Sequence, residues 1–349
     1  MKIFASASPG ELRAAAWDGS LVDYAVSRPG GDAVGDLHRG RIIARVPAMA
    51  GCFVALDGAE AFLPDSEGAA GEGTILGVRV TRAAQGGKGP RVSGRLSAED
   101  RAVADAALVG GGPPALLRRG PDALARLRLL FPNAAVAVGF DDDIEGAVAG
   151  LGETEASLPG GARMSVHPTP ALVAIDVDLA AAAAMRGTKS AVHTAANAAL
   201  IPALCRQIRL RQLGGAIVVD LAGLGVRKRV SLAPDFVRAL AEDRLAPRFL
   251  GFSALGLAEI LRPRVHAPLH ELLAGPHAAG LAALRALSAE IAAVPHHPPV
   301  LRASASVAQA LRADPVALAE FAHLAGRALV LKPDRTLPTC DWTLEAARA

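Results

Sequence analysis

Three carboxylates sit where two apolar runs end. In Ala171-Leu-Val-Ala-Ile-Asp176-Val-Asp178 the stretch Leu172–Ile175 reads as a buried strand, and Asp176 and Asp178, two residues apart, fall on one face of it. In Ile208-Arg-Leu-Arg-Gln-Leu-Gly214-Gly215-Ala-Ile-Val-Val-Asp220 a basic helix stops at the glycine pair, a left-handed cap signal, and a β-branched strand runs into Asp220. Acids at the ends of adjacent strands suit a hard cation such as Mg2+, which takes one or two carboxylates and completes its octahedron with water and substrate phosphate. Arg206, Arg209 and Arg211 stand beside the second segment. A Mg2+ site next to arginines points to a phosphodiester substrate. The residues alone leave a plainer alternative, in which the acids cap the loops behind them and the arginines line the solvated side of an amphipathic helix.

The elements that must position these groups alternate strand and helix over 151–270, an α/β pattern. Residues 1–35 read as strands, Glu11–Trp17 and the run from Leu21 being joined by a turn at Asp18-Gly19. Over 36–98 five short runs separated by glycine turns predict a small closed barrel of the OB type: Gly40–Val46, Gly51–Ala55, Glu60–Leu63, Ile75–Thr81 and Pro90–Leu96. Such barrels bind single-stranded nucleic acid by stacking bases on aromatics and holding the backbone with cations, and Phe53, Phe62 and Lys88 are candidates for those roles. By spacing alone the two phenylalanines fit an ordinary barrel core equally well. Residues 99–150 are helical with one weak strand at Ala134–Phe140, 271–280 read as a linker, and 281–349 as a small α+β module.

The chain has 349 residues, more than one hydrophobic core serves, so several domains are expected; 51% hydrophobic and 20% charged residues are a globular composition. Net charge is only +3, but residues 201–250 hold nine Arg or Lys against four acids. Only five residues are Lys, which sets Lys88 apart in an arginine-biased chain. Three scattered cysteines form neither a metal pair nor a disulfide framework and suit a reducing compartment. The longest apolar stretch, around 171–185, is cut by Asp176 and Asp178, so no membrane span is expected. A soluble, cytoplasmic protein is the simplest expectation.

Taken in order, Gly35-Asp-Leu-His-Arg-Gly-Arg-Ile, Cys52-Phe-Val, Ala61-Phe-Leu-Pro, Gln85-Gly-Gly-Lys-Gly-Pro-Arg, Leu158-Pro-Gly-Gly, the two aspartate segments and Leu255-Gly-Leu-Ala-Glu resemble the bacterial ribonuclease E/G family. The resemblance implies an RNA-binding OB barrel inserted in an RNase H-like scaffold. A DNase I-like subdomain that binds Mg2+ through two aspartates, matched by Asp176 and Asp220, and a small α+β C-terminal domain would follow. Phe53, Phe62 and Lys88 match barrel residues that hold RNA against the metal, and Asn197 matches a structural asparagine. The implied activity is Mg2+-dependent endonucleolytic cleavage of single-stranded RNA to 5′-phosphate and 3′-hydroxyl ends.

The chain departs from the family pattern in several places. The family's asparagine two residues after the first aspartate is Asp178, and its aspartate after Phe-Val is Ala55. The region between barrel and catalytic strands is short and lacks the elements of the 5′-monophosphate pocket, whose arginine falls on Ala246. No Cys-Pro-x-Cys follows Arg262–Leu269, so zinc-bridged assembly has no ligands, while other self-association stays open. The charged loop after the first aspartate is an alanine run. Two expectations follow: an endoribonuclease without 5′-end sensing, or a relative that binds RNA without turnover.

Overall fold

The computed structural model describes all residues except 30–32, 69, 180–188, 295, 297 and 345–349, so the alanine run after Asp178 lies outside the described residues. In chain order the first elements are β1 (Lys2–Ser8), β2 (Glu11–Trp17), β3 (Leu21–Ser27), β4 (Leu37–Val46), β5 (Gly51–Ala55), β6 (Glu60–Pro64), β7 (Ile75–Arg82), β8 (Arg91–Ser93), α1 (Ala98–Val109) and β9 (Ala115–Arg118). Next come α2 (Ala123–Leu130), β10 (Ala135–Val138), α3 (Asp142–Ala149), β11 (Glu155–Ser157), β12 (Arg163–Pro168), β13 (Val173–Asp178), α4 (Lys189–Leu210), β14 (Gly215–Asp220), α5 (Val226–Arg229), α6 (Ala233–Leu240), β15 (Arg248–Phe252) and β16 (Ala258–Arg262). The last are α7 (Leu269–Leu272), α8 (Gly275–Ala293), β17 (Val300–Ser304), α9 (Ala305–Arg312), α10 (Pro315–Ala325), β18 (Val330–Asp334) and β19 (Trp342–Leu344).

These elements form two units, each assembled from separated stretches of chain. Residues 1–36, 118–148 and 271–349 make one; 37–117 and 149–270 make the other. The expected linker at 271–280 is instead the end of α7 and the start of α8, and the C-terminal residues join the N-terminal strands in one unit. In that unit β1, β2 and β3 form an antiparallel meander, and β10 adds parallel to β1. Ala14 and Ala16 pack with Ile3 beneath Ala123 and Leu127 of α2. The C-terminal sheet, in the order β18-β17-β19, rests on α8, α9 and α10 through Leu284, Leu287, Val307, Leu311 and Phe321. Buried Glu11 accepts hydrogen bonds from Arg28 of the N-terminal segment and Arg285 of α8, at 2.9 and 3.0 Å.

In the second unit β5, β6, β8, β7 and β4 pair in that order, and β4 pairs back onto β5, closing a five-stranded barrel of OB-like topology. The expected strand runs match these five closely. Leu37, Ile42, Cys52, Val54, Leu63, Val78, Val80 and Val92 are buried in the barrel, as alternation of inward and outward residues requires. Gly51 has a local reason: a Cβ there would stand 2.4 Å from the Phe62 ring, so only glycine lets that ring lie across β5.

The same unit contains a six-stranded sheet in the order β11-β12-β13-β14-β16-β15. Its β13 and β14 are parallel because α4 carries the chain across between them, as a parallel pair needs. Leu200, Ile201, Leu204 and Ile208 of α4 and Phe236 of α6 cover one face, meeting Ile175, Val177, Ile217 and Val219. Phe236 stacks on Phe249 at 5.1 Å, with Phe252 edge-on to both. The helix before Gly214 stops two residues earlier than the glycine signal suggests. Gln212 takes the left-handed conformation at φ 55°, Leu213 N donates to Ile208 O and Gln212 N to Arg209 O, the two bonds of a Schellman cap.

Arg211 differs from its expected role as an RNA contact. It is 3% exposed, and its guanidinium donates to the carbonyls of Gly150, Glu153 and Glu155 while Nε donates to Gln207. Burial pushes its pKa below the usual arginine value, and the backbone carbonyls take up its donors. Arg211 is therefore a structural tie between the end of α4 and the approach to β11.

Candidate functional site

Burial alternates along the two central strands, and the alternation puts the acids on the face that the helices leave open. On β13, Val173, Ile175 and Val177 point into the core, so Ala174, Asp176 and Asp178 point away; on β14, Ile217 and Val219 point in and Asp220 away. Asp176 and Asp220 are register partners on these parallel strands. Neighbouring strands run about 4.8 Å apart, so the two carboxylates stand side by side at the carboxyl ends of the strands.

Asp178 lies beyond the last residue of β14 and pairs instead with Arg163 of β12. Among the described residues no three His, Cys, Asp or Glu side chains form a set that could hold a metal ion. What the strands bring together is a pair of aspartates, with Asp178 one step outside it, and a pair matches what Mg2+ asks of a protein when water and phosphate supply its other ligands.

Arg229 is a site residue that the sequence pattern did not single out. Its Nη1 donates to Asp220 Oδ1 at 2.6 Å and to Gly256 O at 2.9 Å, and its Nε donates to Leu224 O at 2.9 Å. The side chain is 12% exposed while that of Asp220 is 52% exposed. One oxygen of Asp220 is therefore engaged, on a side chain that stays about half exposed. Asn197, fully buried on α4, donates to His193 O at 2.7 Å and to Ala222 O at 3.0 Å, pinning the loop that leaves Asp220. The resemblance marked Asn197 as a structural asparagine; its partner two residues after Asp220 was not visible in the sequence.

The arginines of α4 separate by depth. Arg206 and Arg209 are half-buried on the helix, and burial together with Arg209 depresses the pKa of Arg206. Arg211 is turned inward, as described. On the barrel, Phe53 and Phe62 are cross-strand partners with rings 5.8 Å apart and edge-on. Both are half-buried on the outer side, since Cys52, Val54, Ala61 and Leu63 fill the inside. They are surface aromatics and not barrel core. Lys88 is exposed at a tight turn closed by reciprocal backbone hydrogen bonds between Gln85 and Lys88 at 3.0 and 3.1 Å. The base of this turn is fixed to the far end of the α/β layer: Ala83 N donates to Val265 O at 2.8 Å and Gln85 Nε2 to His266 O at 3.2 Å.

Comparison with known proteins bears on this part of the chain. Residues 134–265 match the Ribonuclease E/G family. Ribonuclease G of Escherichia coli is 30% identical over 134 residues, 38% of this chain and 27% of that protein. Ribonuclease E of Synechocystis sp. is 31% identical over 120 residues, 34% of this chain and 18% of that protein. Ribonuclease G of Haemophilus influenzae is 26% identical over 131 residues, 37% of this chain and 26% of its own length. The match thus spans about a quarter or less of each relative. It includes Asp176, Asp178, Asp220 and the arginines of α4, and the family match does not extend to the barrel.

Proposed function

We propose, from this chain's membership of the ribonuclease E/G family through residues 134–265, that it is a Mg2+-dependent endoribonuclease acting on single-stranded RNA. The observation that carries the reading is the register of Asp176 opposite Asp220, both exposed, at the carboxyl ends of two parallel strands on the sheet face opposite α4 and α6. Asp176 and Asp220 would hold one Mg2+. When bound, the ion polarises the scissile phosphate and lowers the pKa of a bound water. Phe53 and Phe62 stack unpaired bases, Lys88 holds a phosphate beside them, and Arg206 and Arg209 offset phosphate charge along α4. Asn197 keeps the loop after Asp220 in place. Hydrolysis that breaks the bond from phosphorus to the 3′ oxygen leaves a 5′-phosphate and a 3′-hydroxyl. In this reading the first sheet, an antiparallel meander with a parallel fourth strand after a helix, is the RNase H-like scaffold, and the six-stranded sheet is the DNase I-like subdomain. No 5′-end sensing is assigned, and the setting is the cytoplasm.

Incubating the purified chain with a fluorescent A/U-rich oligoribonucleotide tests the reading. Cleavage that requires Mg2+, stops with chelator and yields 5′-phosphate ends is expected; intact RNA in Mg2+ would refute it.

A second reading, an RNA-binding relative without turnover, is favoured by the ion pair that already engages Asp220. Turnover by the wild type separates the two, and where the chain cleaves, Arg229 sets how readily the metal binds. A cation 2.6 Å from a carboxylate opposes a second cation there, so Arg229→Gln should lower the Mg2+ concentration for half-maximal cleavage several-fold. An increase in that concentration would mean that Arg229 supports the site and does not compete with the metal.

A further inference from the structure

The register of the barrel extends the aromatic pair into a basic row. Phe53 of β5 lies opposite Phe62 of β6, Phe62 opposite Arg91 of β8, and a bulge between Val80 and Arg82 sets Arg82 of β7 opposite Arg91. All four are half-buried, while Val54, Leu63, Val80 and Val92 beside them fill the barrel interior. Two aromatic rings are thus followed, across four strands, by two guanidinium groups.

Like charges directly opposite each other on a sheet destabilise it. Among the described residues Arg82, Arg91 and Arg264 form no ion pair with a carboxylate, and Arg82 Nε is buried without an acceptor. Among the described residues the one side-chain hydrogen bond of Arg82, from Nη2 to Gly89 O, is long at 3.4 Å. Arg264 is close enough that burial, Arg91 and Arg264 together depress the pKa of Arg82, and its own Nε reaches only Gly214 O at 3.3 Å. Three uncompensated guanidiniums and an unused buried donor call for an anion with several acceptor oxygens. The adjoining aromatic pair selects among polyanions: each ring offers a platform on which a base can stack, and an acidic peptide has no bases.

We infer that Arg91, Arg82 and Arg264 bind consecutive phosphates of a single-stranded RNA whose bases stack on Phe53 and Phe62, so that the strand crosses the barrel from β5 toward β7. This rests on the RNA-binding part of the proposed function but not on catalysis. The bulge is what aims Arg82 into the row.

The test is fluorescence anisotropy of a short labelled uridine-rich oligoribonucleotide with the full chain in chelator, over KCl from about 50 to about 300 mM, for wild type, Arg82→Gln, Arg91→Gln and the double variant. Each lost phosphate contact should flatten the slope of log K against log[KCl] by about 0.7, so about 1.4 for the double variant. Melting temperature should stay level or rise, because the substitutions relieve repulsion and break no ion pair. An unchanged slope in the double variant would overturn the row. So would a fall in melting temperature with no change in slope, which would make the arginines structural, or competition by poly-glutamate as strong as by unlabelled RNA. Arginine-dependent binding by a wild type that never cleaves would sink the nuclease reading and leave the row standing. Cleavage by a wild type whose double variant binds unchanged would do the reverse, and no RNA binding by the wild type would sink both.

Discussion

Replacing Asp176 or Asp220 with asparagine is expected to lower Mg2+-dependent cleavage by at least about 100-fold, while the chain stays folded. The two carboxylates are direct register partners, and each substitution removes one anionic oxygen from a pair in which neither has a spare. Loss of an outer partner around a metal costs about 10–100-fold, so loss of a ligand should exceed that range. Folding should be spared because both side chains point away from the core. Asp178→Asn gives the contrasting case. Asp178 lies opposite Arg163 and outside the pair, so its removal should change the rate by less than about tenfold. The assay is single-turnover cleavage of a labelled oligoribonucleotide, with circular dichroism as the control for folding. A Asp178→Asn variant as slow as Asp176→Asn would show that the working set is three carboxylates.

Replacing Asp243 with asparagine is expected to destabilise the second unit by about 3–5 kcal/mol, the usual cost of stranding one member of a buried ion pair. Arg262 Nε donates to Asp243 Oδ2 at 2.7 Å with both side chains under a tenth exposed, and Arg262 Nη1 donates to Leu213 O at 2.8 Å. The pair joins the segment after α6 to the end of β16, which itself pairs with the start of β14. Asparagine keeps an oxygen for Leu245 N, now bonded to Asp243 Oδ1, but leaves the guanidinium charge unmatched. Thermal unfolding should shift down by about 6–20 °C, at about 2–4 °C per kcal/mol for a unit of this size. Adding Arg262→Met to Asp243→Asn should recover part of the loss, because removing both charges ends the desolvation penalty even though Leu213 O loses its donor. A double variant less stable than either single one would mean the pair acts through packing and not charge.

Both predictions rest on contacts that sequence showed unequally. The barrel strands were legible because each is a short β-branched or aromatic run bounded by glycine, and the positions of Asp176 and Asp220 followed from apolar runs that stop on an acid. Their register did not follow, since it depends on α4 returning the chain to the neighbouring strand. Strand β12 was hidden because only Met164 and Val166 are apolar in Arg163–Pro168, the remainder facing the open side. The stretch 271–280 looked like a linker for its Gly275-Pro276 and Gly280. Pro276 sits in the first turn of α8, where its missing N–H leaves no bond unmade, and Gly280 is where the helix meets Leu311, since a Cβ there would stand 2.7 Å from that side chain. Arg211 has the same residue type and helix as Arg206 and Arg209. Only the path of residues 150–155, which supplies its carbonyl acceptors, turns it from a surface cation into a buried tie. Arg82 and Arg91 are nine residues apart in a basic barrel, and without the bulge before Arg82 nothing marks them as partners.

The most direct measurement is the single-turnover cleavage rate of single-stranded RNA as a function of Mg2+ concentration, for wild type and for the Asp176→Asn/Asp220→Asn double variant. Paired metal aspartates predict a saturable rise with Mg2+ in the wild type and a flat, near-zero rate in the double variant at every concentration. A double variant that cleaves with the wild-type Mg2+ dependence would contradict the assignment of Asp176 and Asp220.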